Sequence, residues 1–265
     1  MTDPIARKGG RYAVKVGGKH TAPSVSTVIG VLNKPGLPWG AARETALFAV
    51  FHRSEWADLE PQDAIDRLRK HHRGVWDDKA RRGTLVHDLA LGWSQGREVD
   101  VPAECDPYMD ALEAFYGDNR PEFVECEQSV IYDEKGHEFG GSFDALIRFG
   151  AGEFAGRTLV VDYKTGGRYP IETTMQLAAY RSCKKIGVYD EAGELVSTRP
   201  MPATGGGAVL YLHDDGTYEL LEVPATGDAF AAFLRLRVVW AWNRDMESWV
   251  KAHPEQRMGA EVVAA

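Results

Sequence analysis

The sequence predicts an α/β protein in which a mixed central β-sheet is flanked by helices, with a helical region on its N-terminal side. Three observations carry this expectation. The runs "EFVECEQSVIYD", "EFGGSFDALIRFG" and "RTLVVDYKTG" follow one another, rich in β-branched and aromatic residues and joined by glycine-bearing turns at "EKGH" and "GAGEFAG". Apolar residues at three- and four-residue spacing dominate before these runs and return after them. No internal repeat or low-complexity linker divides the chain, so one domain is expected over residues 1–265.

Taken in order, "RYAVKVGGKH" reads as a short hairpin, and "PSVSTVIGVL" as a helix opened by a Ser24 cap after Pro23. Helices are expected over residues 39–53, 61–72, 77–93 and 106–116, punctuated by Pro61, Gly74 and Gly96. The three strands come next. "TTMQLAAYRSCKKIG" then reads as a helix, "GAVLYLHDDGTYELLEV" as a hairpin and "DAFAAFLRLRVVWAWNRDMESWVKAH" as a long helix before a loose tail. This divides the chain into an N-terminal hairpin and helical region (1–76), a core (77–252) and a tail (253–265).

A hydrophobic content of 44% over 265 residues suffices for a sizeable core. No run approaches the ~18 apolar residues of a membrane span, and "MTDPIARKGGRY" lacks the apolar centre of a signal peptide. The expectation is a cytoplasmic protein with no membrane partner. Cys105, Cys126 and Cys183 are odd in number and widely spaced, which suits reduced structural thiols better than a disulfide framework or a metal knuckle. The net charge of −8 argues against a nucleic-acid partner, but it is unevenly spread: residues 1–82 hold 15 Lys/Arg against 9 Asp/Glu, and the remainder 16 against 30. A clustered surplus such as "RLRKHHR" serves equally as a phosphate-binding surface or as a solvated helix face.

The chemistry centres on "VVDYKTGG". Alternation along a strand sends Asp162 and Lys164 to one side, roughly 6–7 Å apart. On the preceding strand, Phe143, Ala145, Ile147 and Phe149 are expected to share one face, leaving Asp144 on the other with Ser142 and Leu146. If the two strands pair, Asp144 and Asp162 reach one point with Lys164 as the single counter-charge, a situation that a hard divalent ion relieves. The plain alternative is a salt bridge between Lys164 and one aspartate on an exposed sheet face.

The ordered set "GTLVH" (residues 83–87), "GSFD" (141–144), "DYKTG" (162–166) and "QLAAY" (176–180) resembles the RecB-type branch of the PD-(D/E)XK nuclease superfamily. The resemblance covers roughly residues 77–181. It implies a restriction-endonuclease-like sheet and a Mg²⁺- or Mn²⁺-dependent nuclease acting on DNA. His87, Asp144, Asp162 and the Tyr163 backbone carbonyl would hold the metal, with Asp144, Asp162 and Lys164 catalytic and Lys164 serving the attacking water. Gln176 and Tyr180 would line the substrate channel, and Glu127 fits an acidic position on the strand before "GSFD". Relatives with an iron–sulfur cluster need four cysteines where this chain has three, so no cluster is expected. The absence of a G-x-x-x-x-G-K-[ST] loop argues against a nucleotide cofactor.

The resulting expectation is an exonuclease in DNA replication, recombination or repair, of the stand-alone kind found in phages and bacteria, acting on linear ends. Recombination or replication proteins are the expected protein partners. Alternatives are a structure-specific or restriction-like endonuclease on the same fold, and a non-catalytic DNA-binding or assembly module. Lys70, Arg73, Arg81 and Arg82 are expected to contact backbone phosphates from helices leading to His87.

Overall fold

The computed structural model describes residues 10–17, 20–168 and 170–253. The chain opens with β1 (Arg11–Ala13), β2 (Thr21–Pro23), α1 (Val25–Ile29), α2 (Gly36–Phe51), α3 (Pro61–Ser94) and α4 (Asp106–Asn119). It continues with β3 (Pro121–Tyr132), β4 (Phe139–Phe149), β5 (Thr158–Lys164) and α5 (Pro170–Ser182). The last elements are β6 (Lys185–Tyr189), β7 (Leu195–Pro200), β8 (Gly206–Leu212), β9 (Tyr218–Val223) and α6 (Gly227–Ala252). The expected tail beyond His253 lies outside the described residues, as do Gly18 and Lys19 within the first hairpin.

Seven strands form a mixed sheet in the order β7-β6-β3-β4-β5-β8-β9, in which β5 and β8 run parallel and the other neighbours antiparallel. Burial on both faces explains the near-continuous apolar runs of β5 and β8. One face takes the last third of α3 together with α4, whose Leu89, Leu112 and Phe115 pack over Ile147, Leu159 and Val161. The other takes α1, α5 and the first part of α6, with Val25, Leu177 and Phe233 over Leu146 and Val160. Side chains of β5 therefore alternate between two apolar layers until Asp162 and Lys164 break the pattern.

Local signals account for most elements. Ser24 caps α1, its Oγ accepting the Thr27 N–H at 3.1 Å. The turn "HDDGT" joins β8 to β9, with Gly216 at φ +81°, a conformation that strains any side chain. Three expectations need correction. The helices placed at 61–72 and 77–93 are one helix of 34 residues, about 51 Å long at the usual rise. Gly74 sits inside it in open space, where a glycine costs about 1 kcal/mol relative to alanine without breaking the helix. The helix expected through "CKKIG" ends at Ser182, and residues 185–189 pair with β3 and β7 as an unforeseen strand. Phe143 joins the α5 and α6 layer with Leu146, not the layer of Ala145 and Ile147, so strict alternation along β4 fails beside Asp144.

Candidate active site

The interruption at Asp144 has a structural cause. Strands β4 and β5 pair from Arg148 with Thr158 as far as Ala145 with Val161, while β5 stays paired to β8 through Lys164. Beyond Ala145 the Asp144 carboxylate takes over from the backbone ladder, accepting the Tyr163 N–H at 2.6 Å through Oδ2. A side chain that replaces a backbone acceptor is fixed as firmly as the strand itself.

His87 reaches this point from the buried end of α3. Its Nε2 lies 2.9 Å from the Tyr163 carbonyl oxygen, and its Nδ1 is 3.6 Å from Asp144 Oδ2. One turn earlier stands Gly83, where an added Cβ would meet Thr165 Oγ1 at 3.2 Å, so the glycine lets the chain after Lys164 close against α3.

Asp162 is 2% exposed. Lys164 Nζ lies 2.5 Å from its Oδ2 in a close ion pair, and Gln176 Nε2 donates to Oδ1 at 3.0 Å. Burial pushes the Asp162 carboxyl up to about 6, against the opposing pull of Lys164 and with Asp144 adding to the rise. For Lys164, burial disfavours the ammonium, but Asp162 and then Asp144 outweigh it and raise its pKa. The salt bridge anticipated as the plain alternative is therefore present, but on a buried carboxylate instead of an exposed sheet face.

Glu127 stands between Cys126, which pairs with Ala145, and Gln128, which pairs with Phe143, and so lies opposite Asp144. It holds φ at +48°, a left-handed conformation that costs a non-glycine residue about 1 kcal/mol or more. Burial first, then Asp144, raises its pKa, with His87 opposing.

Gln176 and Tyr180, expected to line the channel, are joined to each other and to Asp162. Tyr180 is buried, and its hydroxyl accepts the Gln176 amide at 3.2 Å while the same amide holds Asp162. The Tyr180 ring fits because position 141 is glycine: a Cβ there would sit 2.4 Å from Tyr180 Cε1. A further layer escaped sequence reading, in which the Tyr12 hydroxyl lies 3.2 Å from Ser142 Oγ and Ser142 Oγ lies 3.1 Å from Ser129 Oγ. The paired glycines of "GGSFD" were the available sign, since Gly140 makes the same kind of room for Tyr12.

The expected phosphate contacts are spread along α3. Lys70 lies 3.7 Å from Asp66, and Arg73 is exposed with no carboxylate partner among the described residues. Arg81 forms a two-point contact with Glu104 at 3.0 and 3.4 Å, and Arg82 Nε is 3.8 Å from the same carboxylate. The site thus brings together His87, Asp144, Asp162, Tyr163, Lys164 and Gln176, with Tyr180 behind them and Glu127 alongside. Lys70, Arg73 and Arg81 are exposed on the helix, and Arg82 is half-buried; none of the four contacts the site's carboxylates.

Among the described residues, no three His, Cys, Asp or Glu side chains are drawn together as a ready metal cage. The donors are instead engaged with one another: Asp162 by Lys164 and Gln176, Asp144 by Tyr163, and His87 by the Tyr163 carbonyl. Their chemistry nevertheless fits a hard divalent ion, as carboxylate and carbonyl oxygens with one imidazole. Cys105 and Cys183 are buried free thiols, and Cys126 is a half-buried one.

No protein-family model matches the chain, and no curated protein matches it. Among solved structures, one titled "Crystal structure of SSO0001" is similar with 20% identity and a TM-score of 0.30, covering 51% of this chain. The match spans 56% of that protein's chain, about half its length, and at this level of similarity it carries no argument. Among the described residues, no helix is long and apolar enough to cross a membrane.

Proposed function

We propose that the chain is a Mg²⁺- or Mn²⁺-dependent deoxyribonuclease that hydrolyses phosphodiester bonds, an exonuclease acting on linear DNA in replication, recombination or repair in the cytoplasm. The observation that supports this reading is the local charge. Asp162 and Asp144 stand at the parting of β4 and β5 with Glu127 beside Asp144, and Lys164, 2.5 Å from Asp162 Oδ2, is the cation against them. One buried and two half-buried carboxylates gathered around a single lysine are costly unless a further cation joins them.

Held by Asp144, Asp162, His87 and the Tyr163 carbonyl, the metal ion would supply positive charge to the phosphate and the departing oxygen. The protein's own groups do the positioning. Asp144 fixes the Tyr163 peptide through its N–H, and His87 meets the carbonyl of the same residue, so both sides of that residue's backbone are held. Gln176 orients Asp162. Lys164, kept protonated by Asp162 and Asp144, donates to a phosphate oxygen or to the attacking water as a cation and does not serve as a base.

Incubation with linear and covalently closed circular DNA in Mg²⁺ tests the reading. Nucleotide release from linear DNA alone, stopped by EDTA, is expected. Cutting of circles would shift the assignment to an endonuclease, and intact DNA of both forms in Mg²⁺ and Mn²⁺ would overturn it.

A further inference from the structure

Three arginines converge on one indole at the start of β4, away from the carboxylate cluster. The guanidinium carbons of Arg11 on β1 and of Arg237 and Arg244 on α6 lie 5.8, 5.0 and 4.9 Å from the ring centroid of Trp240. Their anchoring uses neutral oxygens. Arg11 donates through Nε to Thr21 Oγ1 at 2.8 Å and through a terminal nitrogen to the Thr21 carbonyl, and Arg237 Nε donates to the Glu138 carbonyl at 3.0 Å.

The nearby carboxylates leave this charge largely uncompensated. Asp245 is 3.6 Å from Arg244 but is itself mostly exposed, and the Glu138 carboxylate lies 3.8 Å from His20. Among the described residues, both terminal nitrogens of Arg237 are without a hydrogen-bond partner. The crowding is felt: burial and then Arg244 lower the Arg11 pKa, while burial lowers that of Arg237, with Arg244 and Arg11 adding to the fall and Glu138 and Asp245 opposing it. Guanidiniums stacked on a ring keep their N–H edges free, and such edges match phosphate oxygens in two-point contacts.

We propose that Arg11, Arg237 and Arg244 form a phosphate-binding site built on Trp240, and that its occupant is a backbone phosphate of the DNA strand engaged at Asp144 and Asp162. The choice of DNA rests on the nuclease reading; the phosphate site does not. Glu138, which anchors Arg237, precedes Asp144 by six residues of extended chain, about 20 Å. That separation corresponds to about six nucleotides of duplex at 3.4 Å per step.

Two measurements on the wild type, Arg244→Gln and Arg237→Gln/Arg244→Gln test this. Inorganic phosphate is titrated while the arginine Nε–H resonances are followed, and binding of a fluorescein-labelled 20-mer duplex in Ca²⁺ is measured at several salt concentrations. Arg244 has a half-exposed side chain, so its single variant should fold even if the double variant does not. The expected result is a phosphate-dependent shift at Arg237 and Arg244, with the slope of log affinity against log salt falling by about 0.7–0.9 for each lost contact. No shift with phosphate and an unchanged slope would overturn the site. A phosphate shift with unchanged DNA binding in the variants would overturn the DNA assignment in favour of free phosphate. A phosphate shift in a wild type that neither binds nor cuts DNA would leave the site standing while the nuclease reading fails.

Discussion

Asp162 and Lys164 are paired yet answer for different parts of the chemistry. The aspartate is the buried donor and the lysine the retained cation, so their alanine variants should diverge. Asp144→Ala and Asp162→Ala should lose cleavage and divalent-ion binding together, a loss of several kcal/mol in transition-state stabilisation. Lys164→Ala should lose cleavage and keep most of the ion binding, and turnover near the wild-type rate in a steady-state assay would remove Lys164 from the site. The acidity of Asp162 carries a second expectation. A carboxyl raised from its ordinary 3.8 to about 6 holds its proton more tightly in the folded chain, so metal-free stability falls as pH rises through that window. Asp162→Asn should flatten that fall, gaining stability relative to the wild type between pH 4.5 and 7.5 in EDTA; chemical denaturation at the two pH values checks this, and an unchanged difference would contradict it. Residue identities at this centre were legible because alternation on a strand places Asp162 and Lys164 together and Asp144 on the neighbouring strand. The roles of Gln176 and Tyr180 were not, because i,i+4 spacing reveals a shared helix face without saying whether that face meets solvent or a buried carboxylate.

At the scale of elements, the site depends on how closely α5 approaches β4. Gly141 admits the Tyr180 ring, Tyr180 meets the Gln176 amide, and that amide holds Asp162. Gly141→Ala places a methyl 2.4 Å from Tyr180 Cε1 and 3.1 Å from Val25 Cγ2, and overpacking of this kind costs about 1–3 kcal/mol. Urea denaturation should register that loss, and cleavage should fall with it even where the variant remains folded. Wild-type stability and activity in Gly141→Ala would show that α5 is free to move without consequence. The strands β3, β4, β5, β8 and β9 were readable from β-branched composition and turn glycines, and α6 from its periodicity. The strand β6 was hidden because "KKIG" follows α5 after only two residues, so a short apolar strand read as the end of a helix. The opposite error split α3 at Gly74, a position where neither packing nor a cap enforces a break.

For the molecule as a whole, the first part of α3 stands away from the sheet and packs with α2, where Phe48 stacks on His71 with ring centroids 3.9 Å apart. The surplus of positive charge in the first 82 residues was legible in the sequence, but its compensation was not, because Arg81 and Arg82 meet Glu104 from beyond that segment. Exposed ion pairs of this kind are weak because solvent screens them, so a phosphate can displace the carboxylate. If these arginines face DNA, Glu104→Gln should tighten binding in Ca²⁺, and the Lys70/Arg73/Arg81/Arg82 quadruple alanine variant should show weaker binding and a shallower salt slope. Unchanged affinity in both variants would make this basic stretch an ordinary solvated surface.

The central claim is that the parting of β4 and β5 is a divalent-cation site, and calorimetric titration of the metal-free protein with Mn²⁺ tests it without reference to any substrate. The wild type and Lys164→Ala should both bind the ion, with Asp162→Ala and Asp144→Ala losing the heat of binding while retaining their cooperative unfolding. A wild type that binds no Mn²⁺, or an Asp162→Ala variant that binds it as well as the wild type, would contradict the claim.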